Sequence, residues 1–220
     1  MSIYYLRNIP EYYLNRFSSV RSSFDNFLNL LNLAEIVNTC HECYVKNSNQ
    51  FDIAIFTGGL NRAVIKKNDG YFSMSIPFQI INSNDHITFI SNYMEEEVSG
   101  IFISIMRNTL QTMKSNSASH EDVILSLIEN FNIELQDSIK YYDAFVSILS
   151  EDHGYFRFDN DPENENGDIH PRFHFDIFYK DSTALKIGYD RDARLECFQS
   201  LFDSTKEKKY LTNSSVLNKQ

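Results

Sequence analysis

The sequence predicts an α+β fold: an antiparallel sheet, made of a central meander and a C-terminal hairpin, packed against several long helices. Three observations point there. Short runs rich in Ile, Val and Phe follow one another over residues 51–91, separated by turn signals. Long amphipathic stretches poor in Gly and Pro flank them. Strand-like and helix-like runs are grouped and do not alternate as βαβ units. At 220 residues the chain suits a single domain, read as 1–205. Its parts are an N-terminal helical part (1–48), the meander (51–91), helices (92–150), and a hairpin with a final helix (154–204). A flexible tail (206–220) follows.

Residues 10–38 read as helix, because Phe24, Phe27, Leu28, Leu31, Leu33 and Ile36 form an apolar stripe near a 3.6 period, broken by Asn and Ser. Segments 51–57, 62–67, 71–76 and 86–90 read as strands. Gly58-Gly59 and Asn68-Asp69-Gly70 are the turns between them, the second suited to a hairpin because these residues tolerate positive φ. Helix returns at Asn92. Asn92 with Glu95 resembles a capping box, and Glu95, Glu96 and Glu97 suit the positive end of a helix dipole. Val98, Ile101, Phe102, Ile105, Thr109 and Met113 mark its apolar face.

Ser119 and Asp122 start a further helix reaching about Ser150, with a stripe of Ile124, Ile128, Phe131, Leu135, Ile139, Tyr142, Phe145 and Leu149. Unbroken, it would be about 45–50 Å long. That outruns one small core, so it breaks near Asn132 or its end packs on a partner. Helix 119–150 is therefore the expected surface for a homo-oligomer or protein partner, although its heptads are not strict enough for a coiled coil. A hairpin with an acidic loop over 159–169 follows. Residues 183–188 read as a last strand. Asp190 is the expected cap of a last helix, with Ala193, Cys197, Leu201 and Phe198 facing inward.

Charge and cysteine content narrow the function classes. A net charge of −10 and a pI near 5.0 disfavour broad, non-specific nucleic-acid binding. The one basic cluster, Lys206, Lys208 and Lys209, lies by the polar tail. Cys40, Cys43 and Cys197 do not make a disulfide framework, which points to a reducing compartment. No signal peptide and no apolar run long enough to span a bilayer is read. The expectation is a soluble, cytoplasmic protein without membrane contact.

One stretch gathers chemistry. Between Arg172 and Tyr179 polarity alternates with period two, so Arg172, His174 and Asp176 share one strand face and Phe173, Phe175, Ile177 and Tyr179 the other. Arg157 and Asp159, on the preceding strand-like run, fall beside that row. Alternate strand residues are about 6.6 Å apart, so His174 and Asp176 can converge on one atom. His170 lies about 13 Å from His174 in a continuous strand, unless Pro171 bends the chain. Two chemistries fit. In one, His174, Asp176, Asp159 and His170 hold a divalent metal, Zn or Mn. In the other, His174 is a general base oriented by Asp176, and Arg172 and Arg157 bind a phosphate, as in a phosphodiesterase or ribonuclease-like hydrolase. The preferred alternative is an ordinary solvated strand face with Arg157–Asp176 or Arg172–Asp159 as cross-strand pairs.

The remaining motifs have plainer readings. The acidic loop lacks the Gly and Glu positions of an EF-hand and reads as a solvated loop. Cys40-His41-Glu42-Cys43 has the spacing of half a zinc site, but no second pair follows, so the cysteines read as packed. The Gly58-Gly59 segment sits between strands and reads as a hairpin turn. No complete catalytic motif is present. The preferred function is an interaction or regulatory module that oligomerises or binds a protein partner, with the small hydrolase as the alternative.

Overall fold

The computed structural model describes residues 2–46, 50–83, 86–115, 119–151, 154–177, 186–203 and 205–206. Tyr179, residues 183–185 of the expected last strand, Lys208, Lys209 and the tail from 207 onward lie outside the described residues. The fold is α+β, with an eight-stranded antiparallel sheet, a three-stranded sheet and six helices among the described residues. Two compact units divide the chain: Met1–Asn8, Val45–Ser75 and Gly154–Gln220 form the first, Ile9–Tyr44 and Ile76–His153 the second. No helix among the described residues is long and apolar enough to cross a membrane.

The large sheet uses β1 (Ser2–Leu6), β2 (Tyr44–Val45), β3 (Ile53–Thr57), β4 (Arg62–Lys67) and β5 (Gly70–Ser75). To these it adds β9 (Phe156–Asn160), β10 (Phe173–Asp176) and β11 (Lys186–Tyr189), in the order β11-β10-β9-β5-β4-β3-β1-β2. β3 and β4 are near-continuous apolar runs, with Ile53 to Phe56 and Ala63 to Ile65 all buried. Such runs belong to strands covered on both faces. One face packs on α6 (Leu195–Phe202), where Phe202 meets Phe56 at 5.0 Å and Phe198 meets Tyr71 at 5.2 Å, both edge-on.

Gly70 does more than make the β4–β5 turn. Its φ is +150°, and a Cβ there would lie 1.9 Å from the carbonyl oxygen of Phe158. Only glycine lets β9 pair so closely with β5 at that point.

Two expectations fail in this unit. The part expected to be helical from residue 1 opens with β1, which pairs in full register with β3 from Ser2↔Thr57 to Leu6↔Ile53. A strand whose partner lies some fifty residues away leaves little local signal. Asp190 does not cap α6: Arg194 holds the N-cap position without a side-chain bond, while Asp190 pairs with Arg191 at 2.7 Å. Ala193 and Phe198 are buried as expected, Phe202 is buried as well, and Cys197 and Leu201 are only half-buried.

The second unit contains α1 (Glu11–Leu14), α2 (Ser23–Thr39), α3 (Gly100–Lys114), α4 (His120–Phe131) and α5 (Leu135–Ser150). A small sheet, β6 (Gln79–Ser83), β7 (His86–Ser91) and β8 (Glu96–Glu97), belongs to it as well. The central meander is thus shared between two sheets. The change falls at Pro77, which has no N–H to give to a ladder. Two of the Asn residues interrupting the α2 stripe tie down the chain that enters the helix. Asn29 bonds both N–H and C=O of Ser18, and Asn32 donates to Arg16 C=O at 3.0 Å, so the incoming chain is tied to a buried face.

The helix expected from Asn92 begins later. Val98 is fully buried and its N–H bonds Phe89 C=O, so Glu96 and Glu97 pair with β7 and Glu95 turns at φ +55°. Ser99 then caps α3 by accepting from Phe102 N–H. Tertiary burial overrides the local dipole preference here. The Ser119/Asp122 capping box forms as expected, and the helix breaks at Asn132, left-handed at φ 52°.

Candidate functional site

Sheet register builds the site. His174 stands opposite Asp159 on β9 and Gly188 on β11; Asp176 stands opposite Arg157 and Lys186. On β5, Gly70 flanks Asp159 and Phe72 flanks Arg157. Two rows therefore cross one face: Gly70, Asp159, His174, Gly188, and next to it Phe72, Arg157, Asp176, Lys186. The other face of the same strands is aromatic, with Phe158, Phe173 and Phe175.

The ionisable row is solvated only in part. The His174 side chain is 1% exposed and Asp159 15%, while Arg157, Asp176 and Lys186 keep 29%, 27% and 26% exposure, so the solvent-facing strand preferred from sequence is corrected only at His174 and Asp159. Its cross-strand pairing is partly as expected. Arg157 Nη2 bridges Asp159 Oδ2 at 2.7 Å and Asp176 Oδ2 at 2.6 Å. Burial alone would lower the pKa of Arg157, but the two carboxylates outweigh it and raise it. Lys186 Nζ lies 2.8 Å from His174 Nε2 and 3.2 Å from Asp176 Oδ1. His174 Nδ1 lies 2.8 Å from Pro171 C=O. A carbonyl can only accept and an ammonium can only donate, so Nδ1 carries the hydrogen and Nε2 accepts from Lys186. Two cations face two carboxylates, and the cluster is balanced.

The two histidines do meet. β10 starts only at Phe173, and the chain bends at Pro171, bringing the His170 ring edge-on to His174 at 5.0 Å. Gly188 makes room for that bend, since a Cβ on it would sit 3.0 Å from Pro171 Cγ. His170 Nε2 lies 3.2 Å from Asp161 Oδ2, close enough to pair though not aligned for a hydrogen bond. Hydrogen bonds from the Asn164 side chain chiefly hold the Asp161 carboxyl below its usual range, with His170 adding to them.

Arg172 does not join the cluster. It is exposed, donates to Asn160 Oδ1 at 3.0 Å and lies over the Phe173 ring. The predicted pair Arg172–Asp159 is replaced by Arg157–Asp159. Lys186, which sequence reasoning missed, stands opposite Asp176 on the last strand and takes the place assigned to a second arginine. Asp159, His174 and Asp176 each offer a ligand atom within 4.8 Å of the others, and His170 is outside that set. A divalent ion there would have to displace Lys186, whose ammonium already sits among the same donors.

On the aromatic face a pocket of about 270 Å³ is lined by Leu60, Arg62, Phe156, Phe175, Ile177, Leu201 and Phe202. Arg62 lies over the Phe156 and Phe202 rings and donates to Ser73 Oγ and Gly154 C=O. Cys40 and Cys43 are buried, as expected for packing residues, and gather no set of metal-ligating neighbours among the described residues. Their neighbour His41 stacks on His86 at 4.7 Å, a contact the sequence did not signal.

No family model, no curated protein and no solved structure matches this chain. Its chemistry has to be read from its own residues.

Proposed function

We propose that the chain is an interaction module acting through α5, which binds a protein partner or another copy of the chain. One observation carries this. Leu135, Ile139 and Val146 are 57%, 40% and 39% exposed, and with half-buried Tyr142 and Leu149 they line one strip of the helix. Single exposed apolar side chains are ordinary. Five on one strip offer apolar area that a partner removes from water, at about 25 cal/mol per Å². The test is capture from the source cells, together with sizing by light scattering, using wild type and the double variant Ile139→Ser, Val146→Ser. A complex lost in the variant is expected. A monomeric wild type that captures nothing sinks the proposal.

A phosphodiester hydrolase is the second reading, favoured by the Pro171 bend that sets His170 against His174 near Lys186 and Arg157. Phosphoryl chemistry needs a proton acceptor, a proton donor and cations around the phosphate. It ranks second because Asp159 and Asp176 already occupy both cations, so an anionic substrate competes with internal carboxylates. Loss of phosphodiester cleavage in a folded His174→Ala variant is its expected signature, and full activity retained there ends it. Near-stoichiometric Zn or Mn in purified protein would favour the metal version on Asp159, His174 and Asp176.

A further inference from the structure

The apolar strip on α5 has a specific spacing. The residues 135, 139, 142, 146 and 149 are separated by four, three, four and three, the repeat of a two-stranded helical seam. From sequence the stripe mixed two faces, which hid this. The fold separates them: Ser138, Ala144, Phe145 and Ile148 turn into the unit's own core, and the heptad set is left outside.

We infer that the occupant of this strip is a second copy of the chain, its α5 packed parallel to the first. This rests on the interaction reading above and names its partner. Residue choice comes first. Ile139 and Val146 fall at a positions and Leu135 and Leu149 at d positions, and β-branched a with Leu d is the combination that favours two parallel strands. Tyr142 departs from it at the central d layer. Charge is the second support. The e positions are Gln136, Asp143 and Ser150, while the g positions, Ser138 and Phe145, are buried in the chain's own core. Asp143 is thus the one formal charge at an e or g position of α5, while His120 of α4, paired with Glu121, brings its ring within 6.2 Å of Tyr142. Antiparallel pairing sets e beside e and brings the two Asp143 edges together; parallel pairing puts them on opposite edges. Size limits the strength. The 16-residue helix gives a seam about 24 Å long and about 10 Å wide, a few hundred Å² against the roughly 800 Å² per partner of a standard interface. The dimer is accordingly weak and reversible, with a dissociation constant on the order of micromolar.

Sedimentation velocity of the full chain from about 1 to 200 μM reads this directly. A concentration-dependent dimer is expected, weakened at least tenfold by Ile139→Asp with Val146→Asp, while circular dichroism and thermal midpoint stay as in wild type. Val146→Cys in a Cys197→Ser background should oxidise to a linked dimer. In an antiparallel pair centred on Tyr142 the two 146 positions lie about 12 Å apart along the axis, too far for a disulfide. A dimer that links only through an Ile139→Cys and Val146→Cys combination overturns the parallel arrangement. A monomer at every concentration overturns self-association. If that monomer still captures another protein, and the Asp variants abolish the capture, the interaction reading stands without this inference; if it captures nothing, both fall.

Discussion

The face carried by β9, β10 and β11 and the outer strip of α5 use the opposite side chains from those a simple rule assigns. The first buries His174 and gathers the part-buried Arg157, Asp159, Asp176 and Lys186 around it. The second leaves Leu135, Ile139 and Val146 in water. Burying charges is costly unless each is matched, and here two cations meet two carboxylates. Exposing apolar groups is costly only in the lost chance to cover them. The strip therefore looks outward for its stabilisation, while the charged face has already found its own.

Substitutions at the two places should differ sharply. Arg157→Met removes the cation shared by two part-buried carboxylates, of which Asp176 keeps Lys186, and a loss of about 2 kcal/mol in urea unfolding is expected; a loss under about 1 kcal/mol would mean that solvent already screens these charges. Gly188→Ala presses on Pro171 and should cost about 1 kcal/mol, with the larger signal in the His170 and His174 imidazole resonances as the rings part. Unmoved resonances would show that the bend does not depend on this glycine. Ile139→Ser with Val146→Ser should change monomer stability by no more than about 0.5 kcal/mol, and a larger loss would place the strip inside the fold's own core.

Two charged contacts of the second unit set limits on its pH range. Burial pushes the Glu35 carboxyl up, yet hydrogen bonds from Arg107 and Arg16 outweigh it and hold it below 4.5. A lowered folded-state value contributes stability above pH 4.5 that is lost as pH falls through it. Burial first, and Glu96 second, raise Tyr141 from 10.0 to about 12. A raised value contributes stability below pH 10.0 that fades as pH climbs towards 12. Unfolding followed across pH should show a plateau between these limits. Arg107→Met should flatten the acid limb, and an unchanged limb would remove Glu35 from the account.

Much of the charged face was legible, because strand alternation is a strict geometric rule: it placed His174 with Asp176, and Arg157 with Asp159, on one side. Lys186 was missed since the pairing of the last strand with β10 depends on register across a loop, which no local pattern encodes. The bend at Pro171 was named as a condition but could not be chosen, since what permits it is the absent side chain of Gly188. In the helices, the Ser119 box and the Asn132 break are local signals and appeared where expected. The start of α3 did not, because burial of Val98 is a tertiary effect. The α5 strip was half seen: one periodicity held two faces, and only the packed fold tells which residues each face keeps.

The pairing of β5 with β9, made possible by the bare Cα of Gly70, also sets an order of events. Between those two strands the chain runs through residues 76–153, the larger part of the second unit. On a ribosome that unit has all its residues once 153 has emerged, whereas β1, β3, β4 and β5 must wait for β9, β10, β11 and α6. The first unit is begun first and finished last, and during that interval the β5 edge stands open to any other strand. Proteolysis of stalled nascent chains should find the second unit protected before the first, which becomes protected only after α6 is released. Simultaneous protection would mean that the two fold as one.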